Sequence, residues 1–284
     1  MATILDTLKK GAEYLGRHGI DEARLNMELL LAHVLRIDRM RLYLDFDRPL
    51  AETELAPLRE LTKRRGSGEP LQHLLGTVEF CDLEFRSDAR ALVPRPETEE
   101  LARMLLARDW PDGVRILDMG CGSGVLGLSL ARHLSDSHPR TTLADISTEA
   151  LGLARENADA ILGPDPAGLE FLESDLFSAL AGRRYDLVAA NLPYVPDSEE
   201  TALSREVRCD PGLALFGGPA GTEVMERFLA AVPGHLAPGA LVAMEFGIGQ
   251  GEFLQQAAAA AGLVDVEIRR DLSGSERFLL ASAE

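Results

Sequence analysis

The stretch VRILDMGCGSGVLG, residues 114–127, decides the fold. Val114 to Met119 is a short apolar run of strand length, Gly120 to Gly124 is a glycine-rich turn, and VLGLSLARHL (125–134) has helical spacing. A strand that turns on glycine into a helix lets the backbone approach a ligand and aims free helix N–H groups at it. By itself the turn leaves the ligand open. Gly122-Ser-Gly124-Val-Leu-Gly127 formally spells a dinucleotide fingerprint, but counted from Gly120 the match fails at Val125. No Gly-Lys-Ser/Thr follows, so it is not a Walker loop.

Working outward from this turn, strands and helices alternate. TTLADIS (141–147), LEFLESD (169–175), YDLVAAN (185–191) and ALVAMEFG (240–247) read as strands, and TEALGLARENADAIL (148–162) and FLQQAAAAAGL (253–263) as helices. Two more strands, VDVEIRRD and ERFLLASA, close the chain. This order predicts a parallel sheet covered by helices on both faces, with an antiparallel edge from the last two strands. Ligands of such sheets bind at the carboxyl ends of the strands. Asp145 stands at the second such end, suited to accept from both hydroxyls of a ribose, a feature that would serve NAD equally. Ser174-Asp175-Leu176-Phe177 stands at the third, offering a carboxylate and an apolar wall for an adenine.

Upstream, residues 1–70 read as helices. In DEARLNMELLLAHVLRID, opened by Asp21, the residues Leu25, Leu29, Leu30 and Val34 form the stripe expected to face a core. Leu50, Leu55, Leu58 and Leu61 form a second, and Gly66-Ser-Gly68 with Pro70 ends the pattern. Partial alternation over 76–93 suggests a connecting β-hairpin. The expected organisation is a helical domain over 1–74, a hairpin linker over 75–93 and an α/β domain over 94–284.

Composition narrows the function. The chain has 284 residues and a net charge of −17, from 29 basic and 46 acidic residues. Up to Phe80 it is near neutral, with 12 Lys/Arg against 13 Asp/Glu; the remaining 17 against 33 give −16. Gripping a nucleic acid relies on basic residues that neutralise phosphates, so direct nucleic-acid binding is not expected. A local basic run such as Lys63-Arg64-Arg65 could touch RNA, and a solvated helix end explains it as well. No apolar run is long enough to span a membrane. The opening segment lacks a signal peptide's layout, and Cys81, Cys121 and Cys209 are odd in number and far apart. A cytoplasmic protein without disulfides is expected. The six histidines show no metal-ligand spacing, and no metal site is expected.

Asn191-Leu192-Pro193-Tyr194 sits at the fourth strand end. Asp118, the glycine turn Gly120-Cys121-Gly122-Ser123-Gly124, Asp145, and Asp175 with Leu176 together resemble the S-adenosylmethionine (AdoMet) site of class I methyltransferases, a Rossmann-like, mostly parallel seven-stranded α/β fold. The tetrapeptide resembles the Asn-Pro-Pro-Tyr motif of methyltransferases that act on planar NH2 nitrogens. The resemblance implies that Asn191 touches both cofactor and substrate. It implies that the Asn191 side-chain oxygen and the Leu192 carbonyl accept from the two N–H bonds of the substrate, and that Tyr194 packs against its flat group. Leu192 replaces the first proline of the motif. The carbonyl survives that change, and Pro193 still biases Leu192 towards an extended backbone.

Further segments resemble the peptide chain release factor glutamine methyltransferases, the PrmC/HemK family. They are LVPRPETEE (92–100), EPLQHLLG (69–76), Ala214–Pro219, Glu245-Phe-Gly247 with Gln250, and Asp271-Leu-Ser-Gly274 with Arg277; Asp210-Pro211 stands where a Glu-Pro is more usual. This resemblance implies methylation of the side-chain amide (N5) of the glutamine in the Gly-Gly-Gln motif of class I release factors. AdoMet would be the methyl donor and S-adenosyl-L-homocysteine the product. It leaves Arg95 and Glu97 either lining the substrate pocket or paired with each other. The competing readings are an N6-adenine or other exocyclic-amine methyltransferase acting on RNA or DNA, and a non-catalytic AdoMet-fold subunit.

Overall fold

Buried apolar runs set the frame. Ile116, Leu117 and Met119 are all inaccessible to solvent, as are Leu187, Val188, Ala189 and Ala190, so both faces of these strands are covered, as a parallel sheet requires. The structure, a computed structural model, describes residues 2–284. Its strands are β1 (Thr77–Phe80), β2 (Leu83–Arg86), β3 (Arg115–Met119), β4 (Arg140–Asp145), β5 (Leu169–Glu173), β6 (Tyr185–Asn191), β7 (Val195–Pro196), β8 (Phe216–Gly218), β9 (Leu236–Glu245), β10 (Val264–Arg270) and β11 (Glu276–Ser282).

Seven of them form one sheet in the order β10-β11-β9-β6-β3-β4-β5. β3 pairs in parallel with β4 and β6, β4 with β5, and β6 with β9, while β11 runs antiparallel to both its neighbours. The chain moves outward from β3 through β4 to β5, then returns to the other side of β3 as β6. That reversal opens a crevice at the carboxyl ends of β3 and β6. This is the class I methyltransferase architecture. Two helices absent from the sequence reading, Pro96–Leu106 and Glu223–Ala231, complete the layers.

The chain divides into two compact units. The larger comprises Thr77–Ala202 and Asp210–Glu284, so the β1–β2 hairpin belongs to it rather than standing apart as a linker. Cys81 and Asp82 make the hairpin's turn with φ of 49° and 61°, the two left-handed residues that a two-residue hairpin of this twist demands. Asn157, fully buried, accepts from Arg86 N (2.7 Å) and donates to the carbonyls of Arg86 (3.2 Å) and Ser123 (2.9 Å), which ties the hairpin to the glycine turn.

The smaller unit runs to Gly76 and also takes in Leu203–Cys209, a segment that pattern reading assigns to the α/β domain. Its helices are Ile4–Arg17, Ala23–Leu35, Arg39–Leu44, Glu52–Gly66 and Leu71–Leu75. The expected stripe of the second helix is rotated: Met27, Leu30 and Leu31 are buried, while Leu25, Leu29 and Val34 are only partly so. Apolar side chains lie on every side of this helix, so spacing alone could not orient it. Leu50 and Leu58 of the second stripe are buried, with Leu55 and Leu61 packed against them.

In the basic run Lys63-Arg64-Arg65, Lys63 and Arg64 are exposed at the helix end, as a solvated end would have them, and only Arg65 turns inward. Arg64 is paired with Glu69. Arg65 is 4% exposed and donates to Asn26 Oδ1 (2.7 Å), Glu69 O (3.0 Å) and Glu206 Oε2 (2.7 Å). Arg65→Met keeps the apolar stem but leaves those acceptors without their cation. It should lower stability to urea by about 2–3 kcal/mol, the scale of charged hydrogen bonds, whereas Lys63→Met at the exposed neighbouring position should stay within about 0.5 kcal/mol.

Candidate active site

Strand register builds the site. Asp145 lies opposite Glu173, Met119 opposite both Ala144 and Ala190, and Asn191 opposite Glu245. The carboxyl edge therefore carries, in one row, the turn after Glu173, Asp145, the glycine turn, Asn191 and Glu245. A cavity of about 320 Å³ opens along this edge, its wall including Gly120–Ser123, Asp145, Asp175, Leu176 and Asn191–Pro193. Its size is that of a small-molecule site.

The glycine turn is pinned from several sides. Gly120 N and Cys121 N donate to Ala144 O at 2.8 and 3.1 Å. Gly120 has φ of +69°, and a Cβ there would lie 2.9 Å from Leu192 Cδ2, so the position needs glycine for conformation and for close approach. Gly122 N and Ser147 N both donate to the Asp145 carboxylate at 2.8 Å. Gly127 N donates to Asp118 Oδ2 at 2.7 Å, and a Cβ on Gly127 would meet that oxygen at 2.9 Å. Burial pushes the Asp118 carboxyl up to about 7 and raises that of Asp145. Burial, with both carboxylates nearby, holds the Cys121 thiol well above its usual range, so it is a neutral wall atom and no nucleophile. Among the described residues neither Asp118 nor Asp145 has an ion-pair partner. This end of the cavity therefore favours a ligand that brings positive charge.

The other expected cofactor residues are placed less simply. Asp175 is held by Arg227, whose Nη2 donates to both carboxylate oxygens at 2.9 and 2.8 Å, and both side chains line the cavity. Phe177 is not part of the wall; it stacks on Phe228 and His235 in the core. Gly124 shapes the turn with φ of +81° but is likewise outside the wall.

The segment Asn191-Leu192-Pro193-Tyr194 is held by contacts that the sequence does not reveal. Leu192, the departure from the proline pattern, is 4% exposed and belongs to the core cluster. β7 pairs in parallel with β8 immediately after the motif. Gln250 Nε2 donates to Tyr194 O (3.0 Å), while its Oε1 accepts from Gly247 N (2.8 Å). Tyr194 is half-buried and is not among the residues that line the cavity, and its hydroxyl donates to Glu245 Oε1 (3.3 Å). Asn191 lines the cavity, and its Nδ2 donates to Thr98 Oγ1 (2.9 Å), which in turn donates to Glu245 Oε2 (2.7 Å).

Arg95 lines the cavity, but its partner is Asp210, not Glu97, and Glu97 is outside the wall. Asp210 also accepts from Val93 N (3.0 Å), which fixes the segment entering the Pro96–Leu106 helix. Pro211, Leu213, Ala214 and Phe216 supply a further wall. Arg227 carries no signal in the sequence, and Thr98 enters the sequence reading only within the segment LVPRPETEE. Glu245 was noticed only as part of a family pattern, although a carboxylate ending an apolar strand was a signal, since a buried charge needs a reason.

Comparison with known proteins agrees along nearly the whole chain. Residues 6–76 match the family model described as PrmC N-terminal domain, and residues 97–210 match the Methyltransferase small domain. A release factor glutamine methyltransferase of Geobacter sulfurreducens is 37% identical over 278 residues, covering 98% of this chain and 95% of the relative. One of Deinococcus radiodurans is 36% identical, covering 97% of each. Among solved structures, a T. thermophilus 16S rRNA N2 methyltransferase in complex with AdoMet and guanosine shares the fold, with a TM-score of 0.51 and 16% identity over 73% of this chain and 50% of its own.

The raised Asp118 carboxyl has a measurable consequence. Its folded value of about 7 stands above the ordinary 3.8, so the folded protein holds this proton more tightly than the unfolded chain, and the contribution to stability falls as pH rises from about 4 to 7. Asp118→Asn keeps an acceptor for Gly127 N and does not titrate. Relative to the parent it should gain about 2 kcal/mol in urea unfolding between about pH 5 and 8, then level off. A difference that is flat with pH would contradict this origin.

Proposed function

This chain belongs to the release factor glutamine methyltransferase family, and from that premise we propose that it methylates the N5 amide nitrogen of the Gly-Gly-Gln glutamine in class I release factors, with AdoMet as donor. One observation carries the reading: the glycine turn and the acceptor motif abut, Gly120 against Leu192, on the two sides of a single cavity. The cavity fits AdoMet chemically. Asp118 is buried and Asp145 partly so, and among the described residues neither carboxylate has a cationic partner, which suits a ligand that carries positive charge; we assign Asp145 to the ribose hydroxyls. When bound, AdoMet supplies an electrophilic methyl group on a sulfonium.

The protein's own part is to make a poor nucleophile usable. An amide nitrogen delocalises its lone pair and does not ionise near neutral pH. Asn191 Oδ1 and the Leu192 carbonyl accept from its two N–H bonds, hold it in line for attack, and stabilise the positive charge that grows there. No base is needed beforehand, because the nitrogen becomes acidic once methylated and sheds its proton to water. Arg95, held by Asp210, and the Pro211–Phe216 segment line the substrate side. Among the described residues no helix is long and apolar enough to cross a membrane, and all three cysteines are free thiols; we place the activity in the cytoplasm.

Incubation with methyl-labelled AdoMet and either a class I release factor or RNA tests the proposal. Label should enter the release factor and disappear when its Gly-Gly-Gln glutamine is replaced; label on RNA alone would overturn it. Asn191→Ala should cut kcat roughly 100-fold or more, as for loss of a preorganised transition-state acceptor, with AdoMet affinity nearly unchanged by titration calorimetry. Asp145→Ala should weaken AdoMet by about 1–3 kcal/mol; unchanged affinity would place the ribose elsewhere.

A further inference from the structure

We propose that Thr98 and Glu245 are positioning residues that fix which end of the Asn191 carboxamide faces the cavity, so that the site presents an acceptor to the substrate nitrogen. The inference rests on the role just given to Asn191. Its basis is the direction of three hydrogen bonds: Asn191 Nδ2 donates to Thr98 Oγ1, Thr98 Oγ1 donates to Glu245 Oε2, and Tyr194 OH donates to Glu245 Oε1.

The protons can be counted along this chain. An ionised carboxylate only accepts, whereas a threonine hydroxyl has one proton and two lone pairs. With Glu245 ionised, the Thr98 proton is committed to Oε2, and towards Asn191 the hydroxyl can only accept. The group of Asn191 that meets it must then be the NH2, which turns Oδ1 away from Thr98. A flipped carboxamide would set two acceptors against each other and offer the substrate N–H bonds a donor. Asparagine is otherwise free to present either end, since its two ends have nearly the same shape. Both supporting groups are shielded, with Thr98 4% and Glu245 1% exposed, so water does not supply the missing partner. The register that sets Asn191 opposite Glu245 in adjacent strands holds the ends of the relay together.

This also explains a costly feature, a carboxylate buried at the end of an apolar strand. Glu97 faces it from the Pro96–Leu106 helix and opposes its ionisation. Arg277 on β11 favours ionisation, although its guanidinium is also engaged by Asp271 and by Phe246 O, and the Thr98 and Tyr194 hydroxyls favour it too. Burial outweighs these and holds the carboxyl up at about 7. Protonation puts a donor on Glu245 and removes the constraint on Thr98. The rate should therefore fall as pH drops through about 7, the ionised form being the active one.

The test uses the full chain with AdoMet and a release factor. Thr98→Val keeps the shape and removes the hydroxyl; kcat should fall about tenfold or more, with AdoMet Kd within about twofold, and Thr98→Ser should restore most of the rate. Glu245→Gln supplies an NH2 that can donate to Thr98; its kcat should be low and flat with pH, without the acid limb of the parent. A readout independent of turnover is the side-chain NH2 resonance pair of Asn191 in nitrogen-15 NMR of the protein alone. It should titrate with Glu245 in the parent and not in Glu245→Gln.

Parent-like kcat in Thr98→Val, no recovery in Thr98→Ser, or an unchanged titration in Glu245→Gln would each overturn the relay. If Thr98→Val does not fold, Thr98→Ser and Glu245→Gln decide the matter. A parent enzyme that labels no release factor would defeat the functional reading instead, and the NMR titration would still judge the relay.

Discussion

The constraint on which the rest depends is parallel register at the carboxyl edge of the sheet. Because β3 pairs with both β4 and β6, and β6 with β9, the last residues of these strands stand side by side although far apart in sequence. Asp145, Gly120, Asn191 and Glu245 become neighbours through backbone hydrogen bonding alone, before any side chain interacts. A one-residue slip between β6 and β9 would turn Glu245 to the other face and separate it from Asn191. The fully buried aliphatic rows of β3, β6 and β9 prevent such a slip, since every shifted residue would exchange one packed face for the other.

Much of this was legible in the sequence, for identifiable reasons. Strands such as Tyr185–Asn191 and the helix Thr148–Leu162 have the bounds that their apolar patterns predict, and the turn at Gly120 marks the fold because a close approach there tolerates no side chain. What remained hidden was partnership across long separations. Nothing local shows that Arg95 answers to Asp210 rather than to Glu97 two residues away, that Asp175 is held by Arg227, or that Tyr194 turns inwards to Glu245. The helix Ala23–Leu35 fails differently: with leucines on all sides, periodicity cannot choose a face, and packing against its neighbours buries Met27, Leu30 and Leu31 instead of Leu25 and Leu29. The segment between Asn191 and β9 was read least well, because its elements are short and draw their order from loops, as with Gln250 bridging Tyr194 and Gly247.

Leu192 illustrates how a departure from a family pattern can be absorbed. A proline at that position stiffens the backbone covalently. Here the same carbonyl is steadied by a buried leucine against Gly120 on one side and by the β7–β8 pairing on the other. Stiffness supplied by packing depends on the glycine turn being in place, so the two sides of the cavity, the glycine turn and the Asn191–Tyr194 segment, are mechanically one piece.

The seven residues Leu203–Cys209 give the chain an interleaved architecture. They count with the helical unit, yet they lie in sequence between two stretches that line the cavity, Asn191–Pro193 and Pro211–Phe216. Cutting the chain after Gly76 would strip this insert of the helices it is grouped with and leave Glu206 without Arg65. An exchange of the helical unit that is to keep the Arg65–Glu206 pair has to carry both pieces together, although more than a hundred residues separate them in sequence.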